Sequence, residues 1–276
     1  MRLRKAKTIS ICNQKGGVGK TTTVVNLAAA LAKLGKNVLV LDMDPQANAS
    51  DTLSSVSPYE AKFTMYDVLM DRVKIISTSL QDTHDELLKI VPGHINLSGI
   101  EHELSKSVRA VIALKKKIDR YAQESFDFIL IDCPPSLGLL TVNSLVASDS
   151  YIIPVQASSY YALQGVELLQ NTISDVRENI NESLQLEGIL ITMYDSRTNI
   201  CKAMAEEIRN FFGEDKVFKT MINRNTTLDQ ATLNRQTIFE NDSRSQGARD
   251  YIRLAKEILN EEIGDTQQSE GETESA

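Results

Sequence analysis

The chain of 276 residues predicts an α/β fold built on a doubly wound, mostly parallel sheet. Three observations carry that prediction. Short apolar runs alternate with stretches of helical periodicity. A loop rich in glycine and lysine follows the first apolar run, and a later run, Phe128-Ile129-Leu130-Ile131, ends in Asp132. Strands covered on both faces read as continuous apolar runs, and such sheets bind ligands at the C-terminal ends of their strands.

Each element follows from its own pattern. Residues 8–12 (Thr-Ile-Ser-Ile-Cys) form a short buried strand leading straight into the loop. From 21 to 34, Val24, Val25, Leu27, Ala28, Leu31 and Leu34 recur at helical spacing, and Gly35 stops the helix. Residues 37–42 (Asn-Val-Leu-Val-Leu-Asp) make a second buried strand, reached by a right-handed crossover. The stretch 44–100 is less regular, with a helix expected at 65–70 and a strand at 87–91. A long helix is expected over 99–122, carried by Leu104, Val108, Val111, Ile112 and Ile118. Strands at 126–132, 150–155 and 186–193 follow, with a helix after the second of them through about residue 179. A last amphipathic helix, 246–263, places Ala248, Tyr251, Ile252, Ala255, Ile258 and Leu259 on one face.

No Pro/Gly/Ser-rich linker interrupts this order, so residues 1–263 read as one domain. Residues 264–276 carry no apolar anchor and read as a disordered acidic tail. The formal net charge of −7 owes much to the C-terminal end. From Glu261 onward there are six acidic residues and no basic ones, leaving 31 acidic against 30 basic in the rest. The charge therefore does not exclude a nucleic-acid partner. No apolar run approaches the roughly 20 residues that span a bilayer, and the basic start, Met1 to Lys7, leads into a strand, not a signal-peptide core. A cytoplasmic protein is expected. Cys12, Cys133 and Cys201 are too widely spaced for a disulfide framework or a zinc site.

The chemistry concentrates in Asn13-Gln14-Lys15-Gly16-Gly17-Val18-Gly19-Lys20-Thr21-Thr22. A standard phosphate-binding loop, Gly-x4-Gly-Lys-[Ser/Thr], needs glycine at position 14, and here Gln14 and Lys15 stand instead. Gly16, Gly17 and Gly19 let backbone N–H groups, with that of Val18, surround phosphate oxygens. Lys20 is placed to neutralise the terminal phosphates, Thr21 to bind Mg²⁺ through its hydroxyl, and Thr22 to continue the cradle into the helix N-terminus. Lys15 is in excess of that cradle. Asp132, at a strand's C-terminal end, suits a role beside Mg²⁺, directly or through water. Pro134, Pro135 and Gly138 after it make a stiff-then-flexible segment suited to sensing a γ-phosphate. Asp42 and Asp44 end the second strand and suit metal binding or the positioning of an attacking water; Pro45 and Asn48 fit equally a turn of solvated acids. Cys133 reads as a packing residue, since no cationic partner is evident.

Taken together, the loop 15–22, the segment Asp42–Asn48 and Asp132-Cys133-Pro134-Pro135-Ser136 resemble the deviant phosphate-loop ATPases of the ParA/MinD class. Pro154-Val155-Gln156, Tyr160-Tyr161-Ala162-Leu163-Gln164-Gly165 and Ile191-Thr192-Met193-Tyr194-Asp195-Ser196-Arg197-Thr198 narrow the resemblance to the ParA/Soj partitioning branch, over roughly residues 7–260. With no helix-turn-helix stretch before the first strand, it is similar to the short, Soj-like form. The resemblance implies a P-loop NTPase with a deviant Walker A loop and SIMIBI-like organisation, using ATP and Mg²⁺. It implies that Lys15 acts catalytically on the partner subunit's bound phosphates, and that Gly16 lies where two subunits meet. It further implies that Asp44 is the water-positioning carboxylate and Asp132 the switch aspartate near Mg²⁺.

ATP would then join two subunits, and weak hydrolysis, stimulated by a ParB-like centromere-binding protein, would release them. In this branch surface arginines bind DNA non-specifically through phosphates; Arg197 and Arg224 match two such positions. Asn223 stands where the family more often has proline, which is expected to loosen that backbone. Lys216, Lys219, Arg235, Arg244, Arg249 and Arg253 are further basic candidates. The expected setting is the cytoplasm, on the nucleoid, with no membrane. A MinD-like membrane-cycling ATPase is the alternative, disfavoured by Glu261 and Glu262 at the end of the last helix. A cluster carrier similar to the nitrogenase iron protein would need more suitably placed cysteines, and a small-molecule kinase would have no use for Lys15.

Overall fold

A computed structural model describes residues 5–73, 76–104, 110–158, 163 and 166–261. The N-terminal strand, β1 (Lys7–Ile11), runs into the glycine loop and then α1 (Lys20–Lys33), whose last turn is closed by Gly35 at φ 76°. β2 (Val38–Asp42), α2 (Asn48–Leu53) and α3 (Met65–Leu69) follow, then the short edge strand β3 (Gln81–Asp82) and β4 (Leu88–Val91). The long helix expected over 99–122 is broken into pieces. α4 (Ile100–Leu104), α5 (Ala113–Lys117) and α6 (Arg120–Ser125) are separate, the last capped by the Asp119 side chain on the Ala122 N–H. Of the apolar residues supporting one helix, Leu104 ends α4, Val111 and Ile112 lie in a 3₁₀ turn before α5, and Ile118 adopts extended backbone between α5 and α6. Val108 lies outside the described residues.

β5 (Phe128–Asp132), α7 (Leu139–Ala147), β6 (Ser150–Gln156), α8 (Val166–Asn179) and β7 (Gln185–Thr192) continue the alternation. After β7 come α9 (Asn199–Phe212), α10 (Thr226–Leu233), α11 (Ile238–Asp242) and α12 (Gln246–Ile258). The last helix ends earlier than expected: Leu259 and Asn260 form its C-cap turn, Asn260 at φ 54°, and residues 262–263, like the tail 264–276, lie outside the described residues.

The seven strands form one sheet in the order β3-β4-β2-β5-β1-β6-β7, parallel except for the two-residue pairing of β3 with β4. β1 sits between β5 and β6, so its C-terminal end opens at the middle of the sheet. Strand order reverses around it, which is where an open α/β sheet leaves a crevice for ligand. One apolar layer packs α1, α10, α11 and α12 against one face, through Leu27, Leu31, Tyr251 and Leu254. The other packs α3, α7, α8 and α9 against the opposite face, through Met65, Leu145, Leu169 and Ile208. With β1, β2 and β5 buried almost throughout, the loops at their ends stand on a rigid base.

Candidate functional site

The glycine loop is held from both flanks by residues distant in sequence. Asn13 donates its Nδ2 to the Pro154 carbonyl on β6 at 2.7 Å, and its Oδ1 accepts the Lys15 N–H at 2.9 Å. On the other flank Thr192, the last residue of β7, donates its hydroxyl to the Val18 carbonyl at 2.9 Å. Gly17 and Gly19 lie in the left-handed region at φ 72° and 88°, where a side chain is strained. Gly16 does not, and a β-carbon added there meets nothing within 4 Å. α1 then begins at Lys20 with no side chain capping its first turn, so N–H groups at the positive end of a 14-residue helix stand open to an anion.

Lys20 is 7% exposed and donates from Nζ to the Lys15 carbonyl at 3.2 Å. Burial pushes its ammonium below the usual lysine range, and the carboxylates of Asp132 and Asp44 oppose that shift. Thr21, Thr22, Gly16, Asp44 and Pro135 join Lys20 around a cavity of about 380 Å³. A neighbouring cavity of about 260 Å³ shares Gly19 and Thr22 and is walled by Met193, Asn225, Leu228 and Tyr251, a mixed apolar and polar lining suited to a flat ring. A smaller cavity of about 120 Å³ between Lys33, Leu53, His84 and Phe239 holds none of these groups.

The three aspartates take different roles. Asp42 and Asp132 are register partners on β2 and β5, both fully buried. Asp42 is satisfied: it accepts the Ser50 N–H at 2.9 Å, the Ser50 hydroxyl at 2.5 Å and the Asp44 N–H at 3.1 Å. Burial raises it to about 6, the Ser50 bonds working against that rise. Ser50 also accepts the Gly93 N–H at 2.8 Å, and a β-carbon at Gly93 would come within 2.9 Å of the Asp44 carbonyl. Asp42 is therefore a structural hub tying the ends of β2 and β4 to α2, and of the two carboxylates expected at this strand end it is Asp44 that lines the cavity. Asp44 is 6% exposed, its Oδ1 accepts the Gln46 N–H at 2.9 Å, and burial raises it, with Gln46 and Lys20 opposing.

Asp132 is the unsatisfied one. Neither carboxylate oxygen has a hydrogen-bond partner. Burial, then the nearby Asp42, push its pKa well up, and the Thr21 hydroxyl beside it offsets only part of this without closing a bond of full geometry. A buried carboxylate with bare oxygens, flanked by a threonine hydroxyl at an anion-binding loop, is a donor set that fits a hard divalent cation. Cys133 is buried and pushed up to about 12 by burial, which makes it an inert packing residue, as its sequence context suggests.

The two candidate arginines meet in an open cleft of about 590 Å³ at the end of β7, lined also by Tyr194, Asp195, Asn223 and Gln246. The Tyr194 N–H donates to the Ile222 carbonyl at 3.0 Å and the Arg224 N–H to the Tyr194 carbonyl at 2.8 Å, which sets the two loops side by side. The expectation that Asn223 loosens this backbone is overturned. Its N–H and its Nδ2 both donate to Asp250 Oδ2 at 2.9 Å, and Gln246 holds the other oxygen at 2.6 Å. Proline would supply neither donor. Lys216, Lys219, Arg235, Arg244, Arg249 and Arg253 do not line the cleft. Arg235 is paired with Asp51 at 3.0 Å, and Arg249 reaches only its margin, on Gln246. Of the Tyr160–Gly165 motif only Leu163 is among the described residues.

The sequence assigns no role to Asn13, Ser50, Gly93, Thr192 or Asp250. Each acts through a partner that only the folded topology supplies, Thr192 across 174 positions.

Residues 6–186 match the family model described as AAA domain. The chain is 46% identical over 252 residues to the sporulation initiation inhibitor protein Soj of Bacillus subtilis, covering 91% of this chain and 98% of that one. It is 37% identical over 257 residues to the chromosome partitioning protein ParA of Caulobacter vibrioides, covering 93% and 95%. Among solved structures, cobyrinic acid a,c-diamide synthase from Mycobacterium smegmatis with bound ATP analog and magnesium superimposes with a TM-score of 0.80. It is 33% identical, with 92% of this chain and 95% of that one covered.

Proposed function

The chain belongs to the ParA/Soj-type partitioning ATPases, and from that premise we propose that it is an ATP-gated DNA-binding switch for chromosome or plasmid segregation. Its cofactors are ATP and Mg²⁺. The observation that carries the reading is the bare Asp132 carboxylate set beside Thr21 and Lys20 at the uncapped start of α1. The loop N–H groups and Lys20 bind the phosphates, and the 260 Å³ cavity takes the base. Thr21 and Asp132, directly or through water, would hold Mg²⁺, which when bound would supply charge neutralisation on the phosphates. Asp44, fixed by Gln46 and the Asp42 hub, orients the attacking water.

Lys15 and Gly16 give the site its dependence on a second copy. Gly16 is exposed and its surroundings within one subunit are empty, which suits close approach of a partner. Lys15 acts on the partner's phosphates, making nucleotide a reason to dimerise. Turnover is slow and is stimulated by a ParB-like centromere-binding protein. The dimer binds DNA without sequence preference through Arg197 and Arg224, by salt-sensitive phosphate contacts, and works on the nucleoid in the cytoplasm. Residues 1–263 act as one domain and 264–276 as an acidic tail.

Co-sedimentation with duplex DNA in ATP, in ADP and without nucleotide tests the switch. Binding is expected with ATP alone, and binding that is absent or indifferent to nucleotide overturns it. The alternative, a membrane-cycling ATPase, predicts ATP-dependent flotation with liposomes; among the described residues no helix is long and apolar enough to cross a membrane.

A further inference from the structure

The arginine cleft contains its own competitor. Arg197 is 87% exposed, yet its guanidinium is engaged within the chain. Nε donates to Asp195 Oδ1 at 2.9 Å and Nη2 to Oδ2 at 2.8 Å, a two-pronged pair. Asp195 is the better-buried partner, 18% exposed, and it is anchored. Its Oδ1 also accepts the Arg197 backbone N–H at 3.0 Å, and its carbonyl accepts the Thr198 N–H and hydroxyl, both at 3.1 Å, where Thr198 caps α9. Arg224 lines the same cleft and lies close enough to stabilise the same carboxylate, which these contacts hold down to about 2. Asp195 is thus a fixed anion paired with Arg197 and within the electrostatic reach of Arg224.

A guanidinium fork fits a carboxylate and a phosphate diester alike, since both present two oxygens in a plane. We propose that Asp195 is an intramolecular stand-in for a DNA phosphate, occupying Arg197 until the nucleic-acid backbone displaces it. This rests on the reading of the cleft as a DNA surface. Two consequences follow from the geometry. Arg197 is pre-shaped for a two-oxygen ligand, so little side-chain order is lost when phosphate replaces carboxylate. Affinity is also set below what two unopposed arginines would give. An exposed pair of this kind is weak enough to exchange, which suits a surface that must let go of DNA as well as hold it.

The alternative is that Asp195 serves only the turn before α9. Asp195→Asn separates the two, because the amide oxygen still accepts the Arg197 N–H while the charge is gone. With ATP and a short duplex of arbitrary sequence, the D195N protein is expected to bind roughly three- to tenfold tighter than wild type at fixed salt, with melting temperature and ATP binding unchanged. In an Arg197→Gln background the same change should lose most of that gain. If wild type binds duplex and D195N binds no tighter, the competition is refuted and the DNA surface stands. A full gain in the Arg197→Gln background also refutes it, leaving only a general charge effect. If neither protein binds duplex at low salt, the DNA reading and this inference fall together.

Discussion

The phosphate loop and the arginine cleft both lie at the C-terminal ends of strands, with Asn223, Arg224 and Asn225 lining both the cleft and the cavity beside the loop, yet they are built on opposite principles. Around Lys20 the chemistry is largely buried and several groups are held by partners from other elements: Pro154 on Asn13, Thr192 on Val18, Ser50 on Asp42. Asp132 is a fully buried carboxylate among them, and both its oxygens are bare. In the cleft the Arg197 guanidinium is exposed and already engaged by a neighbour two residues away. A buried site is made selective by leaving one strong requirement unmet, since in a low-dielectric setting that deficit is large. An exposed site gains little from one deficit, because water fills it. There the useful control is a competitor of similar strength.

The contrast can be broken from either end. The largest effect is expected at Lys20→Ala, which should abolish measurable ATP binding by calorimetry while leaving nucleotide-free folding intact. Retained binding would show that the buried charge is not the anchor. Gly16→Val should follow in size: the added side chain finds open space within the subunit, so ATP binding and melting temperature are kept while ATP-dependent dimerisation, read by size-exclusion with light scattering, is lost. A variant that still dimerises would move the interface elsewhere.

Asp132→Asn tests the unmet requirement itself. Asp132 has its pKa raised by burial, so its ionised form costs folding energy, a penalty absent below the unfolded carboxylate pKa and growing as pH rises through the folded one. The Asn variant should therefore melt higher than wild type without nucleotide at neutral pH, by roughly 1–3 kcal/mol. The gain should shrink as pH falls below the unfolded value, and binding of Mg²⁺-nucleotide should weaken. The smallest effect belongs to the cleft. Asn223→Pro removes two donors from buried Asp250, which is 1% exposed, costing about 1–3 kcal/mol of stability by denaturant titration. DNA affinity should fall only a few-fold. A larger loss of binding than of stability would mean that the backbone at 223 contacts the ligand.

Sequence reading served these two regions unequally, for physical reasons. β1, the loop, α1 and β2 were legible because glycine, apolar runs and a helix-stopping Gly35 each have a local cause. Asp132 was legible because it ends an apolar strand. The division of 99–122 into three short helices was not: its apolar residues fit one helical stripe, and the break at Ile118 and the cap by Asp119 emerge only in packing. α9 escaped although Cys201, Met204, Ala205, Ile208 and Phe212 carry a clear helical stripe. That signal was present and unread. The Asp195–Arg197 pair was written within three letters, but whether a neighbouring acid and base face each other depends on a turn that the sequence alone leaves open. Asn223 was misread because its partner, Asp250, sits on a helix 27 positions away.

The place of β1 bears on how a cell makes this protein. Its two neighbours are β5 and β6, whose paired residues run from Phe128 to Asp132 and from Ser150 to Ile152. A ribosome therefore releases the phosphate loop long before the strands that flank its base exist, and the anchor at Pro154 comes later still. During that interval an apolar strand waits without partners, a natural client for a chaperone. ATP binding accordingly reports that most of the polypeptide has been synthesised and sorted into register. A chain truncated before β6 would lack both a neighbour of β1 and the Pro154 carbonyl that anchors its loop.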